Sequence, residues 1–234
     1  MTGQQLLTGC EMLETYAKKR DFKKTTEPSG KEKVATGNEL TFVIQKHSAS
    51  RLHYDFRLEC GGVLLSWAVP KGPSLDPAIK RLAVMVEDHP VSYVGFEVII
   101  PSGKYCAGEV IVWDTGKYCP DSALQQKLSR KQQEKAIKEG LAGGKLAFTL
   151  FGKKLQGSWT LVKTRRSEKE WLLIKHTDKY ATSDGDVTED ERSVLSRKTI
   201  ASLEKSNPDK KEEKKRTVAK RPSRTTSPLK KKRA

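Results

Sequence analysis

At 234 residues, with 35% hydrophobic and 32% charged residues and a mean hydropathy of -0.65, the chain is too polar to be one compact core from end to end. No apolar run reaches bilayer-spanning length, and four scattered cysteines (Cys10, Cys60, Cys106, Cys119) with no CxxC pair exclude a disulfide framework and fit reduced thiols. Lys and Arg outnumber acids 45 to 29; residues 201–234 hold +9 of the resulting +16, so the other 200 residues still carry +7, which points to a polyanionic partner, nucleic acid first.

Residues 1–38 read as a polar arm, with a short helix within EMLETYAKKR (11–20) and a break at Thr26-Glu27-Pro28-Ser29-Gly30. From 39 to 182, short apolar or alternating runs are punctuated by Gly and Pro. Strands are predicted at 40–46, 52–59, 63–69, 82–86, 109–113, 145–151, 158–163 and 171–175. One helix, 122–139, capped by Asp121 or Ser122 and ended by Gly140, interrupts them. The pattern predicts a mainly β domain, a small antiparallel barrel or sandwich. From Ser183 the chain turns acidic (SDGDVTEDERS) and then Lys-rich. Apolar residues there are too few to offset the entropy of ordering, so 183–234 is predicted to be a disordered basic tail. Lys220-Arg221 and Lys230-Lys231-Lys232-Arg233 suit a salt-sensitive tether to duplex phosphates, or an import signal in a eukaryotic source.

Polarity alternates from Leu52 to Leu58. Leu52, Tyr54, Phe56 and Leu58 therefore share one strand face and read as core, while His53, Asp55 and Arg57 share the other. A solvated strand face ordinarily carries Thr, Lys, Ser or Glu. His-x-Asp-x-Arg instead combines a metal ligand, a hard anionic ligand and a planar cation shaped for phosphate. His47 lies six residues upstream of His53, and a turn through Ser48-Ala49-Ser50 returns it to the same place. Two imidazoles and a carboxylate suit Mn²⁺, Fe²⁺ or Zn²⁺. Spacing alone leaves both a metal site and an ordinary polar strand face open.

A second cluster follows: Lys71-Gly72-Pro73-Ser74 in a turn, Arg81 before an apolar run, Glu87-Asp88-His89-Pro90 closing it, and Tyr93 beyond. Phosphoryl transfer calls for a divalent cation, for cations on the phosphate oxygens, and for an imidazole or phenol near the leaving oxygen. Two rival readings fit parts of the pattern. One is a non-haem Fe(II) oxygenase using His53, Asp55 and His89 as a 2-His-1-carboxylate triad. The other is a catalytically silent nucleic-acid-binding barrel, which has no use for His-x-Asp.

These residues also carry a family resemblance. The stretch Phe42-Val43-Ile44-Gln45-Lys46-His47 through Arg57-Leu58-Glu59 resembles the 3′-phosphoesterase domain of bacterial DNA ligase D. So do Ser66-Trp67-Ala68-Val69-Pro70-Lys71-Gly72-Pro73-Ser74, Val86-Glu87-Asp88-His89-Pro90, Tyr105-Cys106-Ala107-Gly108 and Val112-Trp113-Asp114. Looser likeness continues through Gly157-Ser158-Trp159-Thr160-Leu161 and Glu170-Trp171-Leu172-Leu173-Ile174-Lys175, with Arg20-Asp21-Phe22 and Thr26-Glu27-Pro28 upstream. The resemblance implies a compact closed β-barrel with a Mn²⁺ site, Co²⁺ and Zn²⁺ being alternatives. It implies removal of a 3′-terminal ribonucleoside and then of the 3′-phosphate, leaving a 3′-hydroxyl for non-homologous end joining. By position it assigns the metal to His47, His53 and Asp55, and the surroundings of the scissile phosphate to Arg57, Arg81, His89 and Tyr93, with Lys71 and Arg51 nearby. It associates Arg20, Asp21, Glu27 and Glu87 with activity and places Gln45 beside the metal. The expected partners are DNA 3′ ends at primer–templates or double-strand breaks. With no room for polymerase or ligase domains, a stand-alone monomer is expected to rely on a separate ligase or end-binding protein. It is expected to work inside the cell, in cytoplasm and nucleoid, or in the nucleus of a eukaryote.

Overall fold

The computed structural model describes residues 13–20, 22, 27–30, 37–101 and 107–207; Asp21, Cys10, Cys106 and the basic segment 208–234 lie outside the described residues. Ten strands form: β1 (Leu40–Ser48), β2 (Leu52–Cys60), β3 (Val63–Val69), β4 (Arg81–Met85), β5 (His89–Pro90), β6 (Val98–Ile100), β7 (Gly108–Pro120), β8 (Lys145–Gly152), β9 (Gln156–Lys163) and β10 (Glu170–Lys175). They pair antiparallel in the order β1-β2-β3-β4-β10-β9-β8-β7, and β7 pairs back onto β1, closing an eight-stranded barrel. Closure leaves no open sheet edge. β5 and β6 are short additions on β3 and β7.

All eight predicted strands are present, so the period-two pattern located the barrel walls. Alternate residues point inward, among them Phe42, Ile44, Tyr54, Phe56 and Leu58. The tryptophans Trp67, Trp113, Trp159 and Trp171, each at most 2% exposed, fill the middle. Leu52 is the exception to the predicted core face: it is 48% exposed, because it starts β2 at the barrel's rim, where nothing packs over it.

The predicted helix 122–139 is instead two helices, α2 (Ser122–Gln125) and α3 (Arg130–Ala142). Ser129 explains the break, since its hydroxyl caps Gln132 N while the Gln132 side chain reaches back to Ser129 N. Such a Ser-x-x-Gln box starts a helix and cannot sit inside one. Gly140 lies within α3, which ends at Ala142 with Gly143 as its C-cap.

Composition from Ser183 onward argues against packing, yet residues 190–207 lie across β7 and β1. Trp113 Nε1 donates to Asp190 O at 2.7 Å, Val194 N to Val112 O at 3.0 Å, and Asn207 Nδ2 to Glu109 Oε1 at 2.8 Å. Ser193 Oγ bonds Glu97, and helix α4 (Ile200–Ser206) starts from a Thr199 capping box. Polar pairing of this kind, with little apolar burial, escapes an argument from composition.

The outer wall of the barrel acquires its own apolar layer. Leu13 and Tyr16 of the arm, carried by α1 (Glu14–Lys18) and its N-cap, pack with Tyr93 of the 3₁₀ turn Val91–Gly95 over Val43, Leu64 and Val112. A strand face that would otherwise meet solvent thereby becomes interior, and the polar residues on it are buried with it. Among the described residues, no helix is long and apolar enough to cross a membrane.

Candidate active site

The register of β1 and β2 sets His47 opposite His53, Gln45 opposite Asp55 and Val43 opposite Arg57. On the next strand, Ala68 faces Asp55 and Ser66 faces Arg57. Strand alternation stacks these side chains on the outer wall, beneath the arm. The turn at residues 49–51 brings His47 back to His53, as the spacing predicts, with ring centroids 4.8 Å apart. One ligand atom from each of His47, His53 and Asp55 lies within 4.8 Å of the others. His47 Nδ1 and His53 Nε2 lie 3.6 and 3.7 Å from the two Asp55 oxygens. His53 Nδ1 sits 2.9 Å from Arg51 O; donating its proton there leaves the Nε2 lone pair turned toward Asp55, the tautomer a ligand needs.

Arg57 connects this cluster to the rest of the cleft. Its Nη2 donates to Asp55 Oδ2 (3.0 Å), its Nε to Gln45 Oε1 (2.9 Å) and its Nη1 to Ser66 Oγ (2.9 Å). Gln45 Nε2 in turn donates to Tyr93 O and Phe96 O, so one amide fixes both the guanidinium and the 3₁₀ turn. His89 reaches the same wall through a local irregularity. Trp67 pairs with Met85 and Leu64 with His89, so three residues of β3 oppose four of the β4–β5 run. The extra residue puts His89 opposite Leu64, on the outer face; without it, Asp88 would take that place. His89 Nδ1 lies 2.8 Å from Glu87 O and 2.9 Å from Arg57 Nη1. A ring nitrogen serves one of the two, and Nδ1–H donated to the carbonyl leaves Nε2 as acceptor toward Arg20 Nη2 at 3.4 Å.

The arm supplies the far side. Arg20 lies 3.8 Å above the Tyr16 ring and donates to Glu27 Oε1 at 2.7 Å, an oxygen that also accepts from Tyr93 OH at 2.8 Å. Glu87 is paired with Lys19 at 3.0 Å and with Arg20 at 3.4 Å. The result is a cleft of about 510 Å³, mouth included, with His47, His53 and Asp55 at one side and Arg57, Arg20 and His89 at the other.

Electrostatics follow from this crowding. Burial opposes ionisation of Asp55, but the Arg57 guanidinium and the two imidazoles outweigh it and hold the carboxyl well below its ordinary range. Burial, and then Arg57 and Arg20, push His89 well below the usual imidazole value, so the ring is neutral. Burial and the neighbouring Glu87 raise the Asp88 carboxyl to about 6. With an unfolded value near 3.9, the folded state holds the extra proton between the two pKa values, so this group's contribution to stability falls as pH rises from about 4 to 6. The stability gain from Asp88→Asn should therefore grow across that window and level off above it. Melting curves at pH 4, 6 and 8 check this; a gain that shrank with rising pH would refute it.

A family model, the DNA Ligase D 3′-phosphoesterase domain, matches residues 45–163, the segment that carries the ligand cluster, Arg57 and His89. The chain belongs to that family. It is 52% identical over 175 residues to a multifunctional non-homologous end joining protein LigD of Pseudomonas aeruginosa, covering 73% of this chain and 19% of that protein. The counterpart from Mycolicibacterium smegmatis is 41% identical over 169 residues, 72% of this chain and 21% of that protein. A Mycobacterium tuberculosis relative, a multifunctional non-homologous end joining DNA repair protein LigD, is 42% identical over 162 residues, 69% of this chain and 19% of that protein. The chain thus spans about a fifth of the length of these relatives.

Within this phosphoesterase domain, most of the expected site residues converge. His47, His53, Asp55, Arg57, His89, Tyr93, Gln45, Glu87 and Arg20 line the cleft, and Glu27 stands behind Arg20 and Tyr93. Arg51 participates through its carbonyl, its side chain being exposed, and Lys71 is exposed in the turn after β3. Arg81 does not line the cleft: it shares a face with the inward-pointing Ala83, opposite Leu173, and reaches Asp186 at 3.7 Å. Asp21 lies outside the described residues. His89, the third ligand of the oxygenase pattern, stands apart from the ligand cluster with its nitrogens facing Arg57, Glu87 and Arg20. Sequence reasoning missed Ser66, Tyr16 and Lys19. Ser66 was signalled by a lone hydroxyl in the apolar run VLLSWAV, and Tyr16 by its helical i,i+4 spacing to Arg20.

Proposed function

We propose that this chain is a Mn²⁺-dependent phosphoesterase that clears blocked 3′ ends of DNA during double-strand-break repair. It removes a 3′-terminal ribonucleoside and then the remaining 3′-phosphate, leaving a hydroxyl that a ligase can seal. The observation that carries this reading is the placement of Arg57 against Asp55, which sets a guanidinium fork suited to phosphate beside three residues that could hold a metal ion in one cleft. A two-nitrogen, one-carboxylate donor set fits Mn²⁺, Co²⁺ or Zn²⁺. His47, His53 and Asp55 would hold the ion. When bound, a divalent cation supplies charge neutralisation at a phosphate oxygen and a more acidic water.

The chain's own groups do the rest. Arg57 and Arg20 grip the non-bridging phosphate oxygens from two sides. Burial, reinforced by these same guanidiniums, holds His89 neutral in the free protein. A bound phosphate offsets their charge and adds a negative charge beside the ring, which favours uptake of a proton from solvent that His89 can pass to the leaving oxygen. Gln45 and Ser66 keep Arg57 from swinging away, and Tyr93 and Glu27 keep Arg20 in place. The test is a primer–template ending in a 3′-ribonucleotide or a 3′-phosphate, incubated with and without Mn²⁺. Stepwise conversion to a 3′-hydroxyl that requires the ion is expected. Intact 3′ ends, or cuts scattered along the strand, would reject the assignment.

A further inference from the structure

A groove leaves the catalytic cleft beside α1. Cleft and groove share Val86 and Glu87; Lys19 walls the groove on one side and Lys169, in the β9–β10 turn, on the other. Glu170 pairs with Val84, and Met85 N donates to Lys169 O at 2.7 Å. The antiparallel hairpin therefore projects past Met85 in the direction β4 takes toward Glu87 and His89. Its turn presents Arg165, Arg166 and Lys169, all exposed. None of the three has an ion pair among the described residues, whereas the neighbouring Glu168 is taken by Lys163. The groove holds two acids, Asp88 and Glu87, and Glu87 is already paired with Lys19 and Arg20.

We propose that this groove and the β9–β10 turn form the track for the DNA behind the 3′ end: the strand leaves the cleft over Val84 and Glu87, and Arg165, Arg166 and Lys169 bind its phosphates. This rests on the 3′-end reading. Unpaired cations on a turn, beside a groove with no aromatic side chain in its lining, suit a phosphate backbone, which is gripped without being read. A protein partner would call for a buried anchor in the middle of the interface.

The test compares the full chain with Arg165→Gln/Arg166→Gln/Lys169→Gln on two substrates bearing a 3′-phosphate, a dinucleotide and a 20-base-pair recessed duplex. KM for the duplex is expected to rise about tenfold with kcat unchanged, and the dinucleotide is expected to be processed as by the unaltered protein. The slope of log affinity against log salt for the duplex should become shallower by about two to three, at about 0.9 for each phosphate no longer neutralised. An unchanged duplex KM and salt slope, or an equal loss on both substrates, overturns the track. A protein that binds duplex through these residues but leaves every 3′ end intact would sink the 3′-end reading and keep the track.

Discussion

His53→Ala is expected to bring hydrolysis of a 3′-phosphate down to background while leaving the metal-free protein folded. The imidazole is half-buried at the cleft's mouth and, among the described residues, hydrogen-bonds the adjacent turn, so its removal strips little from the core. On the proposed metal site it removes one of three donors to the ion, and two donors leave a weak site. Losing an outer partner of a metal ligand typically costs 10–100-fold, and losing the ligand itself should exceed that, below about a thousandth of the normal rate. Calorimetry separates the two effects. Mn²⁺ at about 100 times its dissociation constant should stabilise the unaltered protein by about 2.7 kcal/mol and the variant by almost nothing. Full turnover by His53→Ala, or an equal metal-induced shift in both proteins, would remove the ligand assignment.

Arg57 carries the second large effect, and the form of the substitution matters. Arg57→Ala leaves Asp55 ionised, buried and without its guanidinium, a loss of about 3–5 kcal/mol that confounds activity with folding. Arg57→Lys keeps a charge near Asp55 but loses the planar fork that joins Gln45, Ser66 and Asp55. The expected result is a folded protein that still binds Mn²⁺ and turns over about 10²–10³-fold more slowly, the loss typical of one displaced donor to a developing charge. A Lys variant with ordinary kcat would show that the fork is a structural brace and does not grip phosphate.

How much of this site is visible in the sequence depends on what each residue needed. His53, Asp55 and Arg57 were legible because strand alternation alone puts them on one face, and His47 because a short turn with even spacing returns to it. Arg20, Glu27 and Gln45 came from family resemblance, since nothing local says that an arm folds over a barrel wall, whereas Glu87, His89 and Tyr93 stood in the second cluster. The placement of His89 was hidden in a one-residue irregularity between β4 and β5, which appears only when both registers are known. Arg81 fails for the converse reason. Its parity with Ala83 turns it toward the barrel's interior, and which parity faces inward is set by neighbouring strands. Residues 190–207 were misjudged because hydrogen bonds to β7 and β1 hold them, and composition records only apolar content.

The most direct measurement is Mn²⁺ binding followed by electron paramagnetic resonance, run beside 3′-phosphate turnover on the unaltered protein and on Asp55→Asn. One tightly held ion per chain, lost together with turnover in the variant, is the predicted result. If the variant held Mn²⁺ as tightly and cleared 3′ ends as fast, the two imidazoles and the carboxylate on the barrel's outer wall would not be the centre of the chemistry.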